Sequence, residues 1–181
     1  MGKVGIEAIT EVVDNMLIGI EGIVQVLDDF LEEFELKAVP STDFYYQQDT
    51  NEIGFALVVS DFASTQFQQY VCRLCPELHA DTFLLSFFHE IGHHHTLDEI
   101  PDEVYRKNCN SKAFISRVLS DGVSEKKKKM LYDEYFNLEV EREATAWAID
   151  YILTNREKVN QFWNRVAAAL AHFYEINDIE M

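Results

Sequence analysis

The segment His89-Glu90-Ile91-Gly92-His93 places two imidazoles four residues apart, with a carboxylate beside the first. On a helix, residues i and i+4 lie on one face, so both imidazoles can reach a single metal ion at about 2.0–2.1 Å. Glu90 lies about 100° around the helix and can contact a water on the metal without displacing a ligand. Zinc lowers the pKa of such a water towards ~7, and the carboxylate can accept its proton. The spacing favours a metal site with Glu90 as general base over the alternative, a buried helix with two structural histidines.

A catalytic zinc site needs a third protein ligand and one open position. The best donors lie downstream, where Glu139, Glu141 and Glu143 alternate along the chain. Alternate positions on a helix point in different directions, and Glu141 shares its face with the small residues Ala144 and Thr145. Small residues allow a close approach to the histidine helix. We therefore expect Glu141 to be the third ligand, and we expect Glu139 and Glu143 to be solvated acids.

The two motifs together resemble those of the ImmA/IrrE group of zinc metallopeptidases, within the wider HExxH zincins whose third ligand is a glutamate. The first motif is HEIGH. The second, EREATAWA, is similar to the group's E-x-x-A-[ND]-x-[FW]-A, and it matches at Glu141, Ala144, Trp147 and Ala148. The likeness spans about residues 44–153.

One position departs from the group's second motif, because Thr145 stands where the group usually has Asn or Asp. In the group that residue often supports a histidine ligand from behind. The support is therefore unassigned in this chain, with Asp133 and Asp150 as alternative donors. The stretch between His93 and Glu141 is also long for the group.

The resemblance implies an α+β fold: a compact, zincin-like domain that is mostly helical, with a small antiparallel sheet and the HExxH helix packed on the Glu-bearing helix. It implies peptide-bond hydrolysis by metal-activated water, with one Zn²⁺ per chain on His89, His93 and Glu141, and with Glu90 as general base. Members of the group act on partner repressors, so the implied partner is a protein or peptide substrate such as a transcriptional regulator. The alternative is a non-catalytic zincin-fold module that sequesters a partner regulator.

Apolar periodicity predicts the elements that must position these residues. Two aromatic or β-branched runs predict a β-hairpin at 43–47 and 53–60, and 62–74 is ambiguous between strand and helix. Residues 96–124 are expected to be loop-rich, with one short helix at 112–119. Helices are predicted at 4–36, from Asp81 or Thr82 to about 95, at 126–153 and at 156–174.

With 181 residues, the chain suits a single domain. We expect one zincin-like metallopeptidase domain over 1–181, comprising an N-terminal helix (1–40), a catalytic core (41–153) and a C-terminal helix (154–181). The three cysteines are an odd count that argues against a secreted disulfide scaffold, and the start of the chain lacks a signal-peptide pattern. The apolar stretch 16–27 is too short and too polar to span a bilayer. We therefore expect a cytoplasmic protein without membrane partners.

The net charge of −17 comes from 15 basic and 32 acidic residues. Proteins that track nucleic-acid phosphates need a basic face, so direct nucleic-acid binding is disfavoured. A protein that mimics DNA would need its acids in rows on one face. Here they are spread along the chain, so DNA mimicry ranks last among the functions considered. The oligomeric state is left open.

Several other side chains have weaker chemical patterns. His94 and His95 extend the motif but point away from the predicted ligand face. Cys72 and Cys75 form a C-x-x-C without a second pair or a βαβ context, which favours two reduced thiols with no joint role. The residue that stabilises the oxyanion of a tetrahedral intermediate is left open among His79, Tyr132, Tyr135 and His172.

Overall fold

The computed structural model describes residues 19–57, 62–78 and 80–176, and within these ranges most of the chain is helical. The helices are 19–31 (the described part of α1), Phe62–Leu74 (α2), Thr82–Thr96 (α3), Asp102–Ser120 (α4), Glu125–Phe136 (α5), Glu139–Thr154 (α6) and Arg156–Ile176 (α7). The strands are Lys37–Ser41 (β1), Tyr45–Gln47 (β2) and Glu52–Ala56 (β3). The predicted α+β class is confirmed at this level.

The sheet has the order β1-β3-β2 and is mixed rather than antiparallel. The predicted hairpin is present, because β2 and β3 pair antiparallel. The additional strand β1 pairs parallel with β3, so the expectation of a purely antiparallel sheet is wrong. This strand was not predicted, because its residue Pro40 cannot donate a hydrogen bond to a ladder. Pro40 is tolerated because β1 is an edge strand.

The predicted helix over 4–36 ends earlier than expected, and its part before residue 19 lies outside the described residues. After α1 the chain forms a 3₁₀ turn at Glu32–Phe34. Glu35 then adopts a left-handed conformation with φ of 58°, which reverses the chain into β1. The amide of Ala38 donates to the carboxylate of Asp28 at 2.7 Å and ties β1 back to α1.

The core is built around α3, which is apolar on most sides and correspondingly buried. Phe87 and Phe88 are fully buried and contact rings from three other helices, α1, α6 and α7. Phe30 of α1 and Phe162 of α7 lie 4.1 Å apart between ring centroids, and Phe30 also meets Phe88 edge-on at 5.5 Å. Aromatic packing against α1, α6, α7 and the sheet thus fixes α3 in place. A rigid α3 gives its side chains defined directions.

Two predictions about the connecting segments are wrong. Residues 96–124 contain the 19-residue helix α4 rather than loops with one short helix. This helix is mostly polar and buries only Asn108 and Ile115, so it lacks the apolar stripe that predicts a helix. The expected continuous helix 126–153 is divided into α5 and α6, since Leu138 between them is extended. The amide of Asn137 donates to the carbonyl of Asp133 and ends α5.

Candidate metal centre

The three predicted ligands lie together in the structure, although they come from two helices. His89 and His93 extend from α3, and Glu141 extends from the first turn of α6. Their ligand atoms all lie within 4.8 Å of one another. His89 Nε2 is 3.2 Å from Glu141 Oε2, and His93 Nε2 is 3.6 Å from Glu141 Oε1. Two ligands of a tetrahedral zinc ion at about 2.1 Å are separated by about 3.4 Å, so these spacings fit such an ion.

The close approach of α3 and α6 depends on small residues where they meet. A Cβ atom on Gly92 would lie 2.3 Å from the backbone oxygen of Ala144, so only glycine fits there. Ala144 and Ala148 are buried against α3. Thr96 donates from its hydroxyl to the carbonyl of Gly92 at 2.9 Å. Because the two backbones are almost in contact, the carboxylate of Glu141 reaches the histidines. Its side chain is only 2% exposed.

Thr145 supports His89 from behind. Its hydroxyl donates to the carbonyl of Glu141 at 2.7 Å, which uses its only proton. The same oxygen lies 3.1 Å from His89 Nδ1, so the imidazole must be the donor of that second bond. The Nδ1 proton of His89 is therefore held by Thr145, and Nε2 faces Glu141 at 3.2 Å. Once Nε2 gives up any proton to make way for a metal, its lone pair points at the site.

The sequence left this support unassigned, with Asp133 and Asp150 as alternative donors, and neither contacts His89 in the structure. Asp133 is paired with Arg73 at 2.5 Å on the surface. Asp150 is exposed on the far side of α6. Thr145 itself provides the hydrogen bond, and it does so from the position where the resembling group has Asn or Asp.

The electrostatics of the site favour an anionic Glu141. Burial disfavours its charged form, but the hydrogen bonds and charges of His89 and His93 outweigh burial and hold its pKa well below the usual range. Burial also opposes protonation of His93, yet the adjacent Glu141 and Glu90 raise the pKa of that imidazole. The protein thus keeps a carboxylate charged in its interior, where a cation would be strongly stabilised.

Glu90 is half-buried and lies beside the three ligands, where two cavities adjoin. One cavity has a volume of about 620 Å³ and is lined by His89, and the other has about 220 Å³ and is lined by His93. Both share the walls formed by Phe44, Glu90, Tyr135 and Glu141. A substrate chain lying through the two cavities would pass directly over Glu90.

Two of the four candidates for oxyanion stabilisation line these cavities. Tyr132 lines the larger one and Tyr135 lines both. Burial, with the charges of Glu141 and Glu90 in addition, raises the pKa of Tyr135, so its hydroxyl stays protonated at neutral pH. His172 is exposed on α7 and lines neither cavity, while His79 lies outside the described residues.

The remaining histidines of the motif have contacts of their own. Nδ1 of His94 lies 3.1 Å from the hydroxyl of Tyr46 on β2. The ring of His95 stacks on Trp147 with centroids 4.5 Å apart. Both point away from Glu141, as the helical spacing predicts. His94 links α3 to β2, which forms one wall of the smaller cavity.

The other acids and thiols flagged in the sequence do not join the ligand set. Glu139 is exposed, and half-buried Glu143 pairs with Arg142 at 2.9 Å. The cysteines are all free: Cys72 and Cys109 are exposed, and Cys75 is buried.

Two residues of α4 contact the site or its surroundings but were not among the predicted site residues. Lys112 forms an ion pair with Oε1 of Glu141. One turn earlier, buried Asn108 accepts from the backbone amide of Val140 at 3.4 Å and donates to the carbonyl of Val104 at 2.7 Å. Asn108 thereby attaches α4 to the start of α6, next to Glu141. The only signal in the sequence is the i, i+4 spacing of these two polar residues.

Comparison with protein-family models, with curated proteins and with solved structures finds no significant match. Among the described residues, no helix combines the length and the apolar character that crossing a membrane requires. A function for this protein is therefore inferred from the geometry of the site and from its two motifs.

Proposed function

We propose that this protein is a zinc-dependent peptidase of the HExxH type, with His89, His93 and Glu141 as metal ligands and Glu90 as general base. The observation that carries the proposal is the burial of two imidazoles and one carboxylate at the mutual spacing of tetrahedral zinc ligands. The hydrogen-bond pattern at Thr145 adds support, because it leaves Nε2 of His89 free to bind a metal. Two nitrogens and one oxygen, with a fourth position open to a cavity, are typical of catalytic rather than structural zinc sites.

When bound, zinc would supply Lewis-acid polarisation of the scissile carbonyl and would acidify a water molecule. With zinc held by His89, His93 and Glu141, the carboxylate of Glu90 would accept a proton from the attacking water and pass it to the departing amine nitrogen as the C–N bond breaks. The products would be an amine and a carboxylic acid, which then ionises in water. This role requires Glu90 to be ionised before the reaction. Its carboxylate must also lie within reach of both the water oxygen and the amine nitrogen.

Tyr135 is the better placed of the two tyrosines to stabilise the oxyanion. It lines both cavities beside Glu90, and its raised pKa keeps the hydroxyl proton available for donation. A neutral donor aimed at the developing charge is the usual protein contribution to such a step. The aromatic walls of the cavities would limit access of bulk water.

We infer that the substrate is a segment of a protein or a peptide. The larger cavity, at about 620 Å³, has room for several side chains, and both cavities open to solvent beside the site. A transcriptional regulator is the partner that the resemblance implies.

The decisive experiment compares Glu90→Gln with wild type, with Glu99→Gln as a matched control, because Glu99 is exposed and lines neither cavity. Each zinc-loaded protein is incubated with a mixture of short peptides of varied sequence, and new termini are identified by mass spectrometry. We expect wild type and Glu99→Gln to produce cleavage products and Glu90→Gln to produce none, while all three retain one zinc. Equal cleavage by Glu90→Gln and wild type would overturn the proposal.

A partner regulator that binds both wild type and Glu90→Gln without being cut by either would favour the non-catalytic module instead. Zinc content is measured in every sample, so loss of the metal and loss of the base are distinguished.

A further inference from the structure

Lys112 introduces a positive charge at the edge of the candidate active site. Its ammonium group pairs with Oε1 of Glu141, and its side chain is still 30% exposed. Among the residues that the structure describes, Lys112 is the only lysine or arginine that lines either of the two cavities. It belongs to the smaller cavity of about 220 Å³, on the His93 side. That volume suits a single side chain or a chain end.

The residues that line this cavity determine which groups the ammonium of Lys112 can contact. Tyrosines line much of it: Tyr45, Tyr46, Tyr105 and Tyr135. The ammonium nitrogen lies 5.5 Å from the ring centroid of Tyr135, which holds it in place by a cation–π contact. An ammonium group has three N–H donors, and the ion pair with one carboxylate oxygen leaves donors for a second anion.

The charge balance of the site also favours binding of an anion. Glu90 and Glu141 carry two negative charges, and Lys112 carries one positive charge. A divalent metal ion on the three ligands changes the sum of these groups from −1 to +1. The site would then attract an anion, and Lys112 is the basic side chain that lines the smaller cavity, beside Glu90 and Glu141.

We propose that Lys112 is a specificity-determining residue that binds a carboxylate of the substrate in the smaller cavity. The inference rests on the proposed peptidase function, and it names the substrate class as peptides with a carboxylate next to the cleaved bond. That carboxylate is either the side chain of Asp or Glu or the C-terminal carboxylate of the peptide. Both present the same planar anion to the ammonium group.

The test measures binding, so it does not depend on turnover. The probes are short peptide hydroxamates, which chelate zinc, with Glu or its neutral isostere Gln beside the chelating group. Each is made with a C-terminal carboxylate and with a C-terminal amide. Affinities for the zinc-loaded protein are measured by calorimetry, and the zinc content of every protein is determined. The ratio of paired affinities within one protein cancels any effect on zinc binding itself.

In wild type we expect a probe with a carboxylate to bind about tenfold more tightly than its neutral partner, because a charge-assisted hydrogen bond forms at a partly exposed group. The ratio should fall to about one in Lys112→Gln and should largely persist in Lys112→Arg. Lys107→Gln is the control, since Lys107 is exposed on the same helix and lines neither cavity. The Glu/Gln pair and the carboxylate/amide pair identify which source of carboxylate is bound.

Ratios near one in wild type, or the same ratios in Lys112→Gln as in wild type, would overturn the inference. If Lys112→Gln does not fold, the Lys112→Arg and Lys112→Met proteins give the same comparison. Carboxylate preference in a protein that never cleaves peptides would contradict the proposed catalysis and leave this assignment standing. Cleavage of neutral peptides without carboxylate preference would support the proposed catalysis and contradict the assignment of Lys112.

Discussion

The hydroxyl oxygen of Thr145 lies 3.1 Å from Nδ1 of His89 and can only accept a hydrogen bond from it. This follows because the hydroxyl proton is already donated to the carbonyl of Glu141. One side chain on α6 thus fixes the tautomer of a ligand on α3. The carboxylate that completes the site lies one turn away on the same helix.

Replacing Thr145 by valine should weaken zinc binding by about 10–100-fold, since the hydrogen bond behind a metal-ligating histidine has that effect on affinity. Valine has the shape of threonine but cannot accept the Nδ1 proton. The measurement is a competition titration with a chromophoric chelator. Thr145→Ser keeps the acceptor and should bind zinc within a few-fold of wild type. Equal affinity of the valine and wild-type proteins would show that the tautomer is set elsewhere.

Gly92→Ala should destabilise the protein by about 1–3 kcal/mol, because overpacking at a rigid contact costs this much. The added Cβ would lie 2.3 Å from the backbone oxygen of Ala144, so the two helices must separate. Urea denaturation measures the free energy of unfolding. The control is Gly22→Ala on α1, where nothing lies within 4 Å and alanine should raise stability by about 0.5–1 kcal/mol. If Gly92→Ala is as stable as wild type, the helices are not held at this distance.

Zinc should raise the thermal stability of the protein, since a ligand of the folded state alone stabilises by mass action. At a free concentration 100-fold above its Kd the gain is about 2.7 kcal/mol, which corresponds to about 5–10 °C in Tm for a chain of this length. Scanning calorimetry with and without a chelator measures the shift. Glu141→Gln should show little response to zinc. A similar shift in that variant would indicate that zinc binds elsewhere.

Asn108→Ala should cost about 1–3 kcal/mol, because it leaves the buried amide of Val140 without its acceptor. The same change should loosen α4 and with it the ion pair of Lys112. Chemical denaturation gives the first effect, and hydrogen exchange of α4 amides gives the second. Asn110→Ala, at an exposed position two residues on, is the control and should be nearly neutral. Equal stability of the two variants would show that Asn108 does not stabilise the attachment of α4 to α6.

The residues that the sequence could predict are those whose geometry is local. The i, i+4 spacing of His89 and His93 on an apolar helix was sufficient to place both on one face, and the small residues after Glu141 indicated which acid meets them. Both inferences need only the geometry of single helices. The cap of α3 by Asp81 belongs to the same class, since its carboxylate accepts from the amide of Phe83 at 2.8 Å.

What could not be predicted depends on contacts between distant segments. Thr145 was recognised only as a departure from a motif, because its partner lies 56 residues away. Lys112 lies on α4, whose polar sequence gave no helical stripe, so its position could not be derived. The parallel pairing of β1 with β3 is likewise non-local, and Pro40 concealed the strand.

Zinc binding at His89, His93 and Glu141 can be tested by the zinc content of protein purified without chelators, for wild type, His93→Ala and His94→Ala. The two variants remove adjacent imidazoles of the same helix, but only His93 lies against Glu141, at 3.6 Å. We expect one zinc per chain in wild type and His94→Ala and none in His93→Ala. Folded wild-type protein that cannot be loaded with zinc, or a fully loaded His93→Ala protein, would contradict this account.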